Sequence, residues 1–148
     1  MFKGFIFDLE GTVYLNDQLI LGADRVIQLI REKGRKVVFL SHNPFETQKD
    51  CAERLIRLGI PTLPEEVIYS THTIQTVLRE MGLMPEDCIL IGDCLETDIR
   101  IGKEVGMATG IVFTGVTDEE TLKKIKHSPD QPDFVFQSIA EVENLLIG

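Results

Sequence analysis

Two short apolar segments of this sequence are each followed by a pair of acidic residues. Asp8 and Glu10 follow the first segment, and Asp93 and Asp98 follow the second. Four carboxylates that meet at close range cannot all be ionised without a compensating cation, because like charges raise one another's pKa. Oxygen ligands favour a hard cation that keeps some of its waters, and Mg²⁺ is the usual choice. The spacing therefore predicts a Mg²⁺ site, provided that folding brings the two pairs together.

Another apolar segment ends in the polar residues Ser41, His42 and Asn43. In open α/β sheets the site lies beyond the carboxyl ends of the strands, so a hydroxyl would join the carboxylates if these segments are neighbouring strands. Taken singly, each aspartate is more typical of a turn or a helix cap, and His42 of an exposed loop. Only the convergence of the whole set favours a functional site.

Short segments rich in β-branched and aromatic residues alternate with amphipathic stretches along the chain. Several of these segments are apolar throughout and lack the alternation of polar and apolar residues that half-exposed strands show. Continuous apolar runs are typical of parallel strands that are covered on both faces. We therefore predict an α/β fold with a doubly wound, mostly parallel sheet and helices on both faces. The first strand should lie between the second and the fourth. The predicted strands are residues 5–8, 36–41, 66–70, 88–92, 109–113 and 134–137.

Helices are predicted between these strands, from apolar stripes at helical spacing. Glycines end several of them, and two capping boxes mark helix starts, Thr117 with Glu120 and Ser138 with Glu141. No linker, repeat or low-complexity tract interrupts the pattern, so we predict a single domain over residues 1–148. The predicted helices are residues 23–33, 45–58, 72–81, 95–105, one after Thr117, and 139–147.

Composition excludes several classes of protein. The 148 residues carry a net charge of −9, which disfavours non-specific binding to nucleic acid or to an anionic membrane surface. No apolar run approaches the roughly 18 residues of a membrane span, and no signal peptide is legible. Three cysteines without paired spacing argue against a disulfide framework. We therefore expect a soluble, cytoplasmic protein.

Three motifs together resemble the haloacid dehalogenase superfamily, in its phosphatase majority. They are residues 7–14, 39–44 and 92–98. Residues 95–99 and 114–117 resemble the branch of nitrophenyl phosphate, phosphoglycolate and nucleotide phosphatases. The resemblance implies a Rossmann-like core of about six strands in which Asp8 attacks phosphorus and Ser41 holds the phosphoryl oxygens. It also implies Mg²⁺ held by Asp8, the Glu10 carbonyl and Asp93, with Asp98 in support.

The chemistry of these residue types agrees with that implication. An aspartate nucleophile splits phosphate ester hydrolysis into two displacements through an aspartyl phosphate. A metal ion neutralises the phosphate so that one anion can approach another. Backbone N–H groups of Leu9 and Glu10, in the sharp turn that Gly11 permits, can cradle the transferred group. The candidate phosphate-binding residues are Leu9, Glu10, Ser41, His42 and Asn43.

Two departures from the family pattern matter. The family has aspartate as general acid/base where this chain has Glu10, which adds one methylene of reach with little change in acidity. In the resembling branch a lid domain and a motif lysine lie between the third and fourth predicted strands, and both are missing here. Lys103 is a poor substitute for that lysine. His42 could supply a donor instead, and His72 less readily.

The sequence thus predicts a lidless, Mg²⁺-dependent phosphatase of low activity. The alternative is a degenerate, non-catalytic domain of the same superfamily that binds a metal or a partner. The expected substrate is a phosphorylated small molecule or a larger phosphorylated partner. Without a lid the site is open to water, so a homo-oligomer that covers the strand ends is a further expectation.

Overall fold

A computed structural model describes residues 1–69 and 74–147. In this part of the chain eight β-strands and five α-helices occur, joined by short 3₁₀ turns. The strands are β1 (Gly4–Asp8), β2 (Tyr14–Leu15), β3 (Gln18–Leu19), β4 (Lys36–Ser41), β5 (Val67–Tyr69), β6 (Cys88–Gly92), β7 (Ala108–Val112) and β8 (Phe134–Phe136). The α-helices are α1 (Ala23–Glu32), α2 (Gln48–Arg57), α3 (Ile74–Glu80), α4 (Arg100–Val105) and α5 (Glu119–Lys124).

Six strands form one parallel sheet in the order β5-β4-β1-β6-β7-β8. β1 pairs with β4 on one side and with β6 on the other. The predicted doubly wound α/β fold is therefore confirmed, as is the central place of the first strand between the second and the fourth. The carboxyl ends of β1, β4 and β6 lie side by side at one edge of the sheet.

Apolar side chains cover both faces of the sheet, because successive residues of a strand point to opposite sides. In β1, Phe5 and Phe7 pack into the core beside α1 and α2, whereas Ile6 packs into the core beside α3. The same alternation holds along β4 and β6. This two-sided burial explains why the strand segments read as continuous apolar runs.

The boundaries of several elements differ from the predicted ones. The helix predicted from residue 45 begins at Gln48, because Thr47 and Asp50 form a reciprocal capping box at its start. The cap predicted at Thr117 is wrong by one residue: the side chain of Asp118 accepts the Thr121 N–H, and Thr117 is buried. Residues 70, 72 and 73, predicted as strand or helix ends, lie outside the described residues.

Two further helical predictions are modified. The segment 95–105 begins as a π-helical turn, Leu95–Ile99, before it continues as α4. Ser138 does cap the last element, but Ile139–Leu146 is a 3₁₀ helix rather than an α-helix. In both segments a helix occurs where one was predicted, and only the type of helix differs.

A two-stranded hairpin, β2–β3, was not predicted. Its turn residues Asn16 and Asp17 have φ values of 50° and 63°. Such turns need two residues with positive φ, and Asn and Asp tolerate that conformation better than most residues. The hairpin stands directly after β1, beside the edge where the acidic residues lie. In the described part of the chain, no helix is both long and apolar enough to span a bilayer.

Candidate active site

Asp8 lies at the carboxyl end of the central strand and is almost fully buried. Its Oδ1 lies 3.4 Å from Nε2 of His42, and its Oδ2 lies 3.4 Å from the hydroxyl of Thr12. Burial raises the pKa of Asp8, and the nearby carboxylates of Asp98 and Asp93 raise it further. A carboxylate is thus held at the bottom of a cleft where its negative charge is poorly solvated.

His42 follows β4 and places its imidazole ring beside Asp8. Its Nε2–H donates to Oδ1 of Asp98 at 2.8 Å. This hydrogen bond raises the pKa of His42, although partial burial lowers it. Ligand atoms of Asp8, His42 and Asp98 all lie within 4.8 Å of one another. His42 therefore bridges two buried acids from neighbouring strand ends.

Asp98 is fully buried in the π-helical turn after β6. Burial raises its pKa, whereas the bond to His42 lowers it. Its Oδ2 accepts the Cys94 N–H at 3.2 Å. At Gly92 a Cβ atom would lie 2.2 Å from the same oxygen, so only glycine fits where β6 passes this carboxylate.

Asp93 is clasped by two glycines from separate loops. A Cβ at Gly11 would lie 2.4 Å from Oδ2 of Asp93, and a Cβ at Gly115 would lie 1.9 Å from it. The same oxygen accepts the Val116 N–H at 3.0 Å. Gly11 also has a φ of +89°, which L side chains rarely adopt. The loop after β7 therefore orients one oxygen of Asp93, and the Asp93 side chain is also hydrogen-bonded to Asp8.

Glu10 is exposed, and its carboxylate supports the hairpin. Oε1 of Glu10 accepts the Asn16 N–H at 3.0 Å, while the backbone of Glu10 bridges to Tyr14. The residue also lines the pocket above Asp8. The structure thus places the predicted acid/base at the pocket wall, tethered through one carboxylate oxygen.

The remaining predicted phosphate-binding residues occupy two loops. Ser41 is buried, and its hydroxyl oxygen accepts the Asn43 N–H at 3.2 Å. The Asn43 side chain is exposed and accepts the Phe45 N–H at 3.0 Å, which shapes the loop after β4. The side chain of Leu9 belongs to the core, so only its backbone faces the site; its N–H bonds to the Asp8 carboxylate.

Sequence reasoning missed Arg54, which lines the same pocket from α2. Its guanidinium forms an ion pair with Glu46, lies 3.3 Å from Oδ1 of Asp17 and donates to the Tyr14 hydroxyl at 3.2 Å. The group ties the hairpin to the loop after β4. No local sequence signal marks it, because its partners are distant along the chain.

The loop after β7 was also not assigned to the site from the sequence, although residues 114–117 of this loop resemble the branch of nitrophenyl phosphate, phosphoglycolate and nucleotide phosphatases. The Thr114 hydroxyl donates to the Gly11 carbonyl at 2.6 Å, and Val116 lines the pocket. Together with the strand ends, this loop borders a pocket of about 620 Å³. Its floor is formed by the buried residues Asp8, Ser41 and Asp93, and the exposed His42 lies beside them.

No lid domain is inserted between β5 and β6. From Tyr69 the chain reaches Cys88 through residues 70–87, which hold only α3 and a 3₁₀ turn in their described part. Lys103 lies in the last turn of α4 and is not among the described residues that line the pocket. His72 falls outside the described residues. Among the replacements considered for the motif lysine, His42 is the one that the structure places beside Asp8.

Comparison with known proteins identifies relatives of part of this chain. Phosphoglycolate phosphatase 2 of Arabidopsis thaliana is 29% identical over 83 residues, which are 56% of this chain and 28% of that protein. The chain therefore spans well under two thirds of this curated relative.

Two solved structures share the fold. The 4-nitrophenylphosphatase from Thermotoga maritima has a TM-score of 0.87 at 17% identity, with 97% of each chain covered. The glycerol phosphate phosphatase from Mycobacterium tuberculosis, in complex with magnesium, has a TM-score of 0.75 at 13% identity, with 93% of this chain and 75% of that chain covered.

The family model of the haloacid dehalogenase-like hydrolases matches residues 5–106. This range contains the three strands whose ends carry Asp8, Ser41 and Asp93, and with them most of the pocket floor. Since the matched range covers more than half of the chain and the fold agrees with that of solved phosphatases, the chain belongs to the haloacid dehalogenase-like hydrolases.

Proposed function

We propose that this chain is the core of a Mg²⁺-dependent phosphatase that hydrolyses phosphate monoesters through an aspartyl phosphate on Asp8. One observation carries the proposal: the buried Asp8 carboxylate lies 3.4 Å from the imidazole of His42 at the bottom of an open pocket. A nucleophile needs a cationic neighbour to accept a doubly charged phosphate. His42 supplies one where the motif lysine is missing.

The residues present fit a hard divalent cation. Asp8, Asp93 and Asp98 contribute carboxylate oxygens, and the Val116 N–H together with the two glycines fixes the position of the Asp93 carboxylate. The raised pKa values of Asp8 and Asp98 reflect buried negative charge that is only partly balanced. Asp8, Asp93 and the Glu10 carbonyl would hold Mg²⁺, with Asp98 in support. When bound, Mg²⁺ would neutralise phosphate charge and lower the barrier to attack.

The Asp8 carboxylate would attack phosphorus while the ester oxygen leaves. Backbone N–H groups of Leu9 and Glu10, together with the Ser41 hydroxyl and the His42 imidazole, would hold the phosphoryl oxygens. Asn43 would act indirectly, by shaping the loop that carries His42. Glu10 would give a proton to the leaving oxygen and then take one from the water that hydrolyses the aspartyl phosphate.

We propose that residues 1–148 form a single core domain and that the protein acts in the cytoplasm. The open pocket suits a phosphorylated small molecule or a larger phosphorylated partner, and the alternative is a second copy of the chain that covers the strand ends. Low activity is expected, because an imidazole shared with Asp98 is a weaker phosphate ligand than a free ammonium.

The decisive experiment is a phosphatase assay on a panel of phosphate monoesters, with Mg²⁺ and with EDTA. We expect slow, Mg²⁺-dependent release of phosphate. Asp8→Asn should abolish it, since an amide cannot form the acyl phosphate, whereas the surface variant Asp130→Asn should not. Acid-quenched enzyme should carry phosphate on Asp8, detected by mass spectrometry.

If no monoester is hydrolysed under any metal condition, the degenerate, non-catalytic alternative replaces the proposal. Activity that survives Asp8→Asn would exclude Asp8 as the nucleophile.

A further inference from the structure

Two large apolar side chains stand exposed at the mouth of the candidate active site. Phe45 is 93% exposed and Val116 is 77% exposed, and both line the pocket that contains Asp8. Single exposed apolar residues are common on protein surfaces, so the exposure of these two matters because both stand at the mouth of the same pocket. Their position beside the nucleophile points to a role in contact with what enters the pocket.

Phe45 and Val116 come from opposite sides of the cleft. Phe45 follows β4, which adjoins β1 on one side, and Val116 follows β7, which adjoins β6 on the other. Their backbones are fixed: the Phe45 N–H bonds to Asn43, and the Val116 N–H bonds to Asp93. The apolar side chains thus form two walls above a polar floor.

The charged groups of the pocket disfavour a second anion on the substrate. Of the described residues that line it, only His42 and Arg54 are cationic. His42 is engaged by Asp98 and Asp8, and Arg54 is paired with Glu46 and Asp17. Among the described residues that line the pocket, no basic side chain is therefore left unpaired for a substrate carboxylate, whereas Glu10 and Glu46 would repel one.

We infer that the preferred substrates are phosphate monoesters whose alcohol part is uncharged and apolar, such as aryl or alkyl phosphates, and that Phe45 and Val116 contact this part. The inference rests on the proposed function and names its substrate class. Phosphate esters that also carry a carboxylate should be poor substrates. In this chain Phe45 and Val116 would thus provide the substrate specificity that a lid domain would otherwise provide.

The test compares phenyl phosphate with phosphoglycolate as substrates, in the presence of Mg²⁺. We expect kcat/KM for phenyl phosphate to be about tenfold or more above that for phosphoglycolate. Phe45→Ala should lower the value for phenyl phosphate roughly three- to tenfold, the usual range for an aromatic contact. The value for phosphoglycolate should stay unchanged. Leu21→Ala, at an equally exposed position away from the pocket, is the matched control.

Binding of two non-hydrolysable probes separates this inference from the proposed catalysis. Calorimetry should show that phenylphosphonate binds more tightly than phosphonoacetate, and that Phe45→Ala removes the difference. If this holds while no ester is hydrolysed, the binding preference stands and the catalytic proposal fails.

Three results would overturn the inference. The first is equal or stronger binding and turnover of the carboxylated ligands, and the second is a parallel loss for both ligand types in Phe45→Ala. The third is light scattering that shows a dimer for the wild type and a monomer for Phe45→Ala, because the apolar walls would then be an interface between copies of the chain.

Discussion

Replacing Asp8 by asparagine should have opposite effects on activity and on stability. The amide has nearly the same shape as the carboxyl group but carries no charge, and it cannot act as the nucleophile. In the metal-free protein, Asp8 lies among other buried acids. We therefore expect Asp8→Asn to abolish turnover and to raise the free energy of unfolding of the metal-free protein.

The size of the gain follows from the raised pKa of Asp8. At pH 7 the unfolded carboxyl group, with a pKa of 3.8, is ionised, whereas burial makes the folded group retain its proton. Binding that proton costs about 1.4 kcal/mol for each pH unit above 3.8, so the penalty at pH 7 is at most about 4 kcal/mol. Because the asparagine amide must itself be desolvated at this buried site, we expect a net gain of roughly 2 kcal/mol.

The pH dependence has a definite sign. The folded state binds the extra proton, so the contribution of Asp8 to stability is fully present below pH 3.8 and is lost as the pH rises above it. The advantage of Asp8→Asn should therefore be small near pH 4 and grow toward pH 7.

Urea unfolding in EDTA, at about pH 4.5 and pH 7 for wild type, Asp8→Asn and the surface control Asp130→Asn, measures the effect. A variant less stable than wild type at pH 7, or a gain that does not change with pH, would refute the reasoning.

Three further predictions concern residues around Asp8. Gly115→Ala should weaken Mg²⁺ binding about tenfold or more by calorimetry, because the new Cβ would displace the Asp93 carboxylate; an unchanged affinity would show that the clasp is dispensable. His42→Gln should lower kcat roughly 10²-fold at saturating Mg²⁺, as for loss of one oriented donor; full activity would exclude the imidazole from phosphate binding. Glu10→Gln keeps an acceptor for the Asn16 N–H but cannot transfer a proton, so activity should fall about 10²- to 10⁴-fold, and an unchanged rate would assign that step to another group.

The sheet could be predicted because its strands are buried on both faces and therefore read as apolar runs. Five of the six predicted strands lie within one residue of the observed ends, and the sixth, 66–70, partly lies outside the described residues. The place of the first strand between the second and the fourth followed from the loops that had to meet if the acids form one site. The apolar pattern of the strands and the requirement that the acids form one site thus predicted the parallel sheet and the central place of its first strand.

The pocket walls could not be predicted in the same way. Arg54 reads as an ordinary polar residue of α2, since its partners Tyr14 and Asp17 are far away in sequence. Two-residue strands such as β2 and β3 are too short to show any periodicity. At the start of α5, Thr117 and Asp118 offer overlapping capping signals, and only the burial of Thr117 decides between them.

The central place of β1 also ties the site to the order in which the chain folds. β1 pairs with residues 36–40 on one side and with residues 88–91 on the other, and contacts this distant in sequence form late and slowly. During synthesis β1 can meet β4 early, but Asp93 and Asp98 join it only after β6 has emerged. Asp8 is therefore without its acidic neighbours until β6 pairs with β1, so a shortened chain that stops before β6 should lack the acid cluster entirely.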